Sequence, residues 1–388
     1  MTEISIWDII RFMITRFWQP KLKSMIQSGK VLVIYGPRRA GKTTLVNAYL
    51  KTIPTARVYM GNGENADLRQ ILESQSFSQM IPYFSGYDLV VIDEAQKVRQ
   101  IGTSLKILVD QIPSIKLVVT GSSAFDLANM VGEPLLGRQN TIKLYPFWTG
   151  ELSSHFGQIY VKENLNNLLV YGNYPEVINA STTKQKEQYL YQIRDGYLFK
   201  DILELDGIKN STKILDLLRL VAFQIGKEVS LQELGLALGI SKNTVERYLD
   251  LLEKSFVLIK VRGWAKNLRK EISKMARYYF VDNGVRNSVI GNFSPIANRD
   301  DLGQLWENFL FAERVKKLDY QQTVVNRYFW RTWDQQEIDL VEEVNGQLSA
   351  FEFKWGDKAI APPKAWIEAY PEAGFQVVSR ENFDQFVL

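Results

Sequence analysis

The 388-residue chain contains no cysteine, which excludes disulfide cross-links and every thiolate nucleophile or ligand. Its one histidine is His155, so a multi-histidine metal centre cannot be built and a Ser-His-Asp relay has a single possible base. Any metal ion must therefore be held by oxygen. Charge of one sign is not in excess either: 47 basic residues face 43 acidic ones, and a net charge of +4 does not by itself announce a polyanion-binding surface. No run approaches the roughly 18 apolar residues that span a bilayer, and the start Met1-Thr2-Glu3-Ile4 lacks the basic stretch and small-residue cleavage site of a signal peptide. These absences lead to the expectation of a soluble, cytoplasmic protein with no membrane partner.

What is present is the balance of a folded chain, with 46% apolar and 23% charged residues, and a length that at roughly 100–200 residues per domain allows two or three cores. The first third alternates short β-branched runs with helical patterns. Val31–Tyr35, Arg57–Tyr59, Leu89–Ile92, Leu117–Thr120 and Thr141–Leu144 are expected strands, and strands separated by helices predict an α/β fold with a parallel sheet. Upstream, Trp7, Ile10 and Ile14 at helical spacing predict an amphipathic helix over 4–17 that docks on the domain. From Tyr145 to about Phe223 the pattern turns helical, and 291–301 is a Gly/Asn/Ser/Pro/Asp-bearing stretch before a last segment of one long helix and several strands.

Gly36-Pro37-Arg38-Arg39-Ala40-Gly41-Lys42-Thr43-Thr44 fits the GxxxxGKT phosphate loop, placed between an expected strand and an expected helix as the motif requires. Glycines let backbone N–H groups converge on phosphate oxygens, Lys42 reaches the β- and γ-phosphates of ATP, and Thr43 ligates Mg2+. Leu89–Ile92 delivers Asp93 and Glu94 to a strand's carboxyl end, where ligands of parallel sheets bind. Asp93 is expected to hold the magnesium through water and Glu94 to act as general base on the attacking water. Thr120-Gly121-Ser122-Ser123 offers hydroxyls for sensing the γ-phosphate, Ser122 foremost. Arg138, after Leu135-Leu136-Gly137, is a surface arginine or a charge supplied to a neighbouring subunit's transition state in a homo-oligomer.

These motifs, with Ile92-Asp93-Glu94-Ala95-Gln96 and Tyr171-Gly172-Asn173-Tyr174-Pro175-Glu176, resemble a widespread prokaryotic family of AAA+ superfamily ATPases. Its members carry a C-terminal restriction-endonuclease-like domain of uncharacterised function. The resemblance runs over nearly the whole chain, with one departure at Asn173, where a second glycine is expected. It implies four segments: a P-loop ATPase core over 1–150, a helical lid over 151–210, a winged helix-turn-helix over 211–290 and a restriction-endonuclease-like α/β domain over 291–388.

The residues themselves agree with the middle segment. Ser230-Leu231-Gln232-Glu233 reads as a capping box that opens a helix with Leu231, Leu234 and Leu238 inward and Gly239 at its end. Ser241 caps a second helix whose buried stripe is Val245, Leu249 and Leu252, and strand patterns at 256–261 and 278–281 complete a winged helix-turn-helix. The second helix exposes Lys242, Asn243, Glu246, Arg247 and Asp250, whose charges cancel. The wing, Lys254–Arg277, carries eight basic residues against Glu271 alone, with Trp264 and Asn267 among them, and is the segment expected to meet DNA or another nucleic acid, unless it is a solvated hairpin or scaffold.

Near the C-terminus, Glu337–Val344 and Gln347–Trp355 flank Asn345-Gly346, a strong hairpin signal. A two-residue turn pairs Val344 with Gln347, so Asp339 faces Glu352, Glu337 faces Lys354, and Ile338, Leu340, Phe351 and Phe353 share an apolar face. Asp339, Glu352 and Lys354 fit the Asp…Glu-x-Lys core of restriction-endonuclease-like nucleases, in which carboxylates hold magnesium. Glu307, beside Trp306 and Phe309, is where the resemblance adds a further acidic ligand. A solvated hairpin with Lys354 bridging Glu337 and Glu352 accounts for the same residues. The combined expectation is an ATP-hydrolysing machine whose nucleotide state reorients a winged-helix and nuclease-like module; the alternatives are an ATP-gated metal-dependent nuclease and a non-catalytic signalling or assembly switch.

Overall fold

The computed structural model describes residues 14–122, 135–198, 211–264, 276–356 and 360–388. Residues 4–13 of the expected leading helix, Ser123 and residues 265–275 of the expected wing lie outside them, and residues 14–17 form no helix. The chain forms two compact units, Met1–Pro146 with Lys254–Phe256, and Phe147–Glu253 with Val257–Leu388.

In the first unit, β1 (Val31–Tyr35), β2 (Val58–Asn62), β3 (Leu89–Asp93), β4 (Lys116–Gly121) and β5 (Gln139–Lys143) lie within a few residues of the expected runs. They form one sheet in the order β2-β3-β4-β1-β5, and every neighbouring pair is parallel. Helices α1 (Lys42–Leu50), α2 (Ala66–Glu73), α3 (Phe77–Phe84) and α4 (Ile101–Gln111) alternate with the first four strands. The uninterrupted apolar run of β3 is what a parallel strand covered on both faces needs, and Leu89–Ile92 are all buried. Val31, Val33, Val90, Ile92, Leu117 and Val119 of the strands pack with Leu72, Phe84, Leu105 and Leu108 of the helices in one core. Such burial is worth ~1.5–3 kcal/mol per large aliphatic side chain before entropy is counted. The chain leaves β1 towards β2 but leaves β4 towards β5 on the other side, so a crevice opens between the carboxyl ends of β1 and β4.

The second unit contains α5 (Thr149–Phe156), α6 (Leu165–Tyr171), α7 (Thr183–Gln192), α8 (Ser211–Ala222), α9 (Leu231–Leu238), α10 (Lys242–Lys254), α11 (Asn283–Ile290) and α12 (Leu302–Tyr320). Its mixed sheet runs β11-β10-β9-β8-β6-β7, with β6 (Leu258–Gly263), β7 (Ala276–Phe280), β8 (Asn326–Arg331), β9 (Glu337–Val344), β10 (Gln347–Phe353) and β11 (Gly374–Val378). The Ser230 hydroxyl accepts the Glu233 N–H at 3.3 Å to open α9, Gly239 ends it at φ +65°, and Ser241 accepts the Thr244 N–H at 3.1 Å at the start of α10. The hairpin β6–β7 follows, antiparallel, and β6 pairs in parallel with β8, so segments on either side of residue 290 share one sheet.

Two expectations about this hairpin are corrected. Arg277 is only 1% exposed, and Trp264 packs edge-on to Tyr328 with its backbone N–H on the Phe329 carbonyl at 2.7 Å. Arg277 does not belong to an exposed basic surface, because β7 is buried along its length, and Trp264 is half-buried against Tyr328. In the β9–β10 hairpin, Val344 pairs with Gln347 and Leu340 with Phe351, as the turn requires, and Asn345 and Gly346 both have positive φ. The charged face, however, is covered: Asp339 and Glu352 are 7% and 8% exposed. Against β8, β9 also carries a bulge that sets Asp339 and Leu340 opposite Phe329 alone.

The unexpected Asn173 is accounted for by its contacts. Its amide nitrogen donates to the carbonyl of Phe147 and to Glu313 Oε1, each at 3.0 Å, and its backbone N–H donates to Asp282 Oδ2 at 2.7 Å. The buried Glu313 also accepts from Thr149 and from Lys316 at 2.7 Å. A glycine at 173 would leave part of this buried network unpaired.

Candidate functional site

The phosphate loop sits at the carboxyl end of β1. A Cβ on Gly36 would meet the Leu144 carbonyl oxygen at 2.0 Å, and Gly41 opens α1 from the left-handed region at φ +96°, so both positions demand glycine. Lys42, 5% exposed, donates to the carbonyls of Gly36 and Pro37 at 2.9 and 3.0 Å, holding its ammonium inside the loop. The Thr43 hydroxyl donates to Asp93 Oδ2 at 2.9 Å, joining the head of α1 to the end of β3. Thr120, at the end of β4, donates to the other Asp93 oxygen. Glu94 adopts φ +51° and its carboxylate accepts from Gln96 Nε2 at 2.6 Å; the same nitrogen donates to Ser122 Oγ at 3.0 Å.

The structure thus gathers Lys42, Thr43, Asp93, Glu94 and Ser122 at one end of the sheet. The hydroxyl of Thr43 and the carboxylate of Asp93 are hard oxygen donors of the kind magnesium prefers, and they fit an ATP-bound ion. Arg138 is elsewhere: its backbone carbonyl pairs with Val31 N–H at the opposite end of β1, and its guanidinium is bonded to Asp110 of α4. Within this chain it is not part of the phosphate site. One residue escaped the sequence reading altogether. Arg16, buried, donates to the carbonyl of Ala40 inside the loop at 2.6 Å and to that of Tyr145 at 2.7 Å. Nothing in its spacing, 20 residues before the motif, marks it.

In the second unit, Glu307, Asp339, Glu352 and Lys354 do converge, from α12, β9 and β10. Lys354 Nζ lies 2.7 Å from Glu352 Oε1, and Asp339 Oδ2 accepts the Phe353 N–H at 2.8 Å. Glu337 does not join Lys354; it takes Arg277 at 2.9 Å. Arg277 also lies 3.9 Å from both Glu307 and Asp339, and Tyr279 donates to Glu307 at 2.7 Å. Burial, reinforced by Glu307 and Glu352, pushes the Asp339 carboxyl well above the usual range, and burial raises Glu307 as well. Burial opposes the Arg277 charge, but Tyr279, Glu307, Glu337 and Asp339 outweigh it and hold the guanidinium above its ordinary value.

A metal ion fits this arrangement poorly. Among the described residues no three acidic side chains are grouped to hold one, and the guanidinium of Arg277 already neutralises the centre of the cluster. Glu352 Oε2 is nevertheless buried without a partner among the described residues.

Three family models match the chain: an AAA domain over residues 28–153, a domain of unknown function (DUF8612) over 162–296 and another (DUF4143) over 302–385. An uncharacterized protein of Mycobacterium tuberculosis is 25% identical over 86% of this chain and 72% of its own length. An uncharacterized protein of Haemophilus influenzae is 27% identical over 74% of each. Among solved structures, a Walker-type ATPase of Pyrococcus abyssi is 17% identical, with 74% of this chain and 98% of that one covered at a TM-score of 0.49. With a phosphate loop at the head of a five-stranded parallel sheet and the AAA match over 28–153, that segment is an AAA domain with the fold of P-loop ATPases, and the chain ends in a segment that matches a domain of unknown function.

Proposed function

We propose that the chain binds Mg-ATP at Gly36–Thr44 and hydrolyses it. The observation that carries the reading is the Thr43–Asp93 contact at 2.9 Å beside the buried Lys42, which sets a hydroxyl, a carboxylate and an ammonium together at one end of the sheet. On binding, Lys42 exchanges two carbonyl partners for phosphate oxygens, and the N–H groups of the loop and of α1 face the same charge. Bound magnesium would offset charge on the β- and γ-phosphates. Thr120 steadies Asp93, while Glu94 takes a proton from the attacking water. Lys42→Ala is expected to abolish binding in a nucleotide titration. Glu94→Gln is expected to bind normally but turn over at least ~100-fold more slowly, as loss of a general base predicts.

Nucleotide state is proposed to act on the helix-turn-helix and C-terminal segments, read as a lid, a winged helix and a nuclease-like domain. Nucleic acid would be met through the basic residues of 254–276, with Arg277 removed from that surface. DNA binding that is unchanged between low and high salt would count against this contact. A metal-dependent nuclease is the second reading, favoured by the orphaned Glu352 oxygen and opposed by Arg277 in the cluster. Manganese-dependent DNA cleavage lost in Asp339→Ala would select it. An ATP-dependent change in subunit number without DNA binding would instead select the assembly switch.

A further inference from the structure

We propose that Gln96 is a positioning residue that links Glu94 to the γ-phosphate through Ser122. The inference rests on the ATPase reading and deepens it by naming how the base is told that a triphosphate is present. Gln96 lies two residues past Glu94, in the short turn Ala95–Lys97, and its side chain folds back so that Nε2 spans Glu94 Oε2 at 2.6 Å and Ser122 Oγ at 3.0 Å. Both amide hydrogens are thereby used. The opposite amide orientation would set a carbonyl oxygen against the Glu94 carboxylate, so the chemistry fixes the flip.

Among the described residues, the roles along this chain of bonds leave one group unspent. Ser122 accepts from Gln96, which frees its own hydrogen for a phosphate oxygen at the end of β4. A γ-phosphate that takes that hydrogen completes a run of donors and acceptors from phosphate to Ser122, to Gln96, to Glu94. ADP offers no such oxygen. Gln96 Oε1, on the same amide, is buried without a partner among the described residues. Leaving a buried acceptor unpaired costs about 1–3 kcal/mol, which argues for a use of that amide beyond filling space.

The test is steady-state turnover and Mg-ATP affinity, the latter by displacement of a fluorescent nucleotide, for wild type, Gln96→Leu, Ser122→Ala, Glu94→Gln and the Glu94→Gln/Gln96→Leu pair. A positioning role predicts that Gln96→Leu lowers kcat about tenfold or more with affinity within about threefold, since it acts on the base and not on binding. In the Glu94→Gln background the same change should cost no more than about twofold, because residues that act as a unit are not additive. Ser122→Ala should lower kcat in the same way, and it carries the test if Gln96→Leu does not fold. Unchanged kcat, losses that multiply in the double variant, or affinity falling in step with kcat would each overturn the proposal. If wild type itself does not turn ATP over, the ATPase reading fails and this inference with it; turnover indifferent to Gln96 and Ser122 sinks the inference alone.

Discussion

Arg16 reaches into the phosphate loop from outside the motif, and its value lies in tying the Ala40 carbonyl of the loop to the Tyr145 carbonyl. Arg16→Ala is expected to weaken Mg-ATP binding roughly 10- to 150-fold, in line with the ~1.5–3 kcal/mol of a hydrogen bond from a charged donor, and the nucleotide titration measures it. Asp301 is the second residue with a sharp prediction. Burial alone would raise its carboxyl, but hydrogen bonds from Arg299 and Arg286 outweigh that and hold it below the ordinary range. Its folded pKa is depressed, so its stabilisation is full above the unfolded value and is lost as pH falls through the folded one. Asp301→Asn should cost about 3–5 kcal/mol at pH 7 in chemical denaturation, leaving two buried guanidinium groups short of a partner, and the gap should close on acidification. At this scale the sequence was explicit only where chemistry imposes spacing. Lys42, Thr43, Asp93 and Glu94 follow from a motif, whereas Arg16, Gln96 and Arg277 are placed by contacts that no local pattern encodes.

Turns and registers are the elements in which local sequence spoke most clearly. Asn345-Gly346 set the β9–β10 pairing down to Leu340 and Phe351. The alternative of a solvated acidic face failed because alternation along a strand says which side chains share a face, not whether a helix covers it; residues of α12 and β7 bury that face. The same limit removed Arg277 from the supposed basic wing. Gly172 offers a test of element geometry: at φ +71° its Cβ would meet the Asp282 carboxylate at 2.1 Å. Gly172→Ala is expected to destabilise the second unit by about 2–5 kcal/mol, the sum of backbone strain and overpacking, read from a urea transition. Asn173→Gly should cost roughly 1–3 kcal/mol there, since the Glu313 and Phe147 acceptors lose a donor.

For the molecule as a whole, ligand linkage provides the check. Saturating Mg-ATP at about 100 times Kd should add ~2.7 kcal/mol to whatever unfolds with the phosphate loop. Hydrogen exchange is expected to show that protection first in β1, α1, β3 and β4, and in Lys42→Ala to show none. The alternation of strands and helices announced the parallel sheet, because each βα unit carries its own periodicity. It could not announce that the hairpin β6–β7 would join β8 in a second sheet, since that pairing links segments some 65 residues apart, Arg262 with Tyr328.

Phe256 belongs to the first unit although the chain has by then passed through more than a hundred residues of the second; its ring lies 5.7 Å from Tyr35 and 5.8 Å from Tyr145. A gene fragment cut after residue 146 would therefore be short of one piece of its own interior. Two tyrosines flanking the nucleotide loop would lose an aromatic lid supplied from downstream, and adding a peptide bearing residues 254–256 back in trans should restore part of what the cut removes.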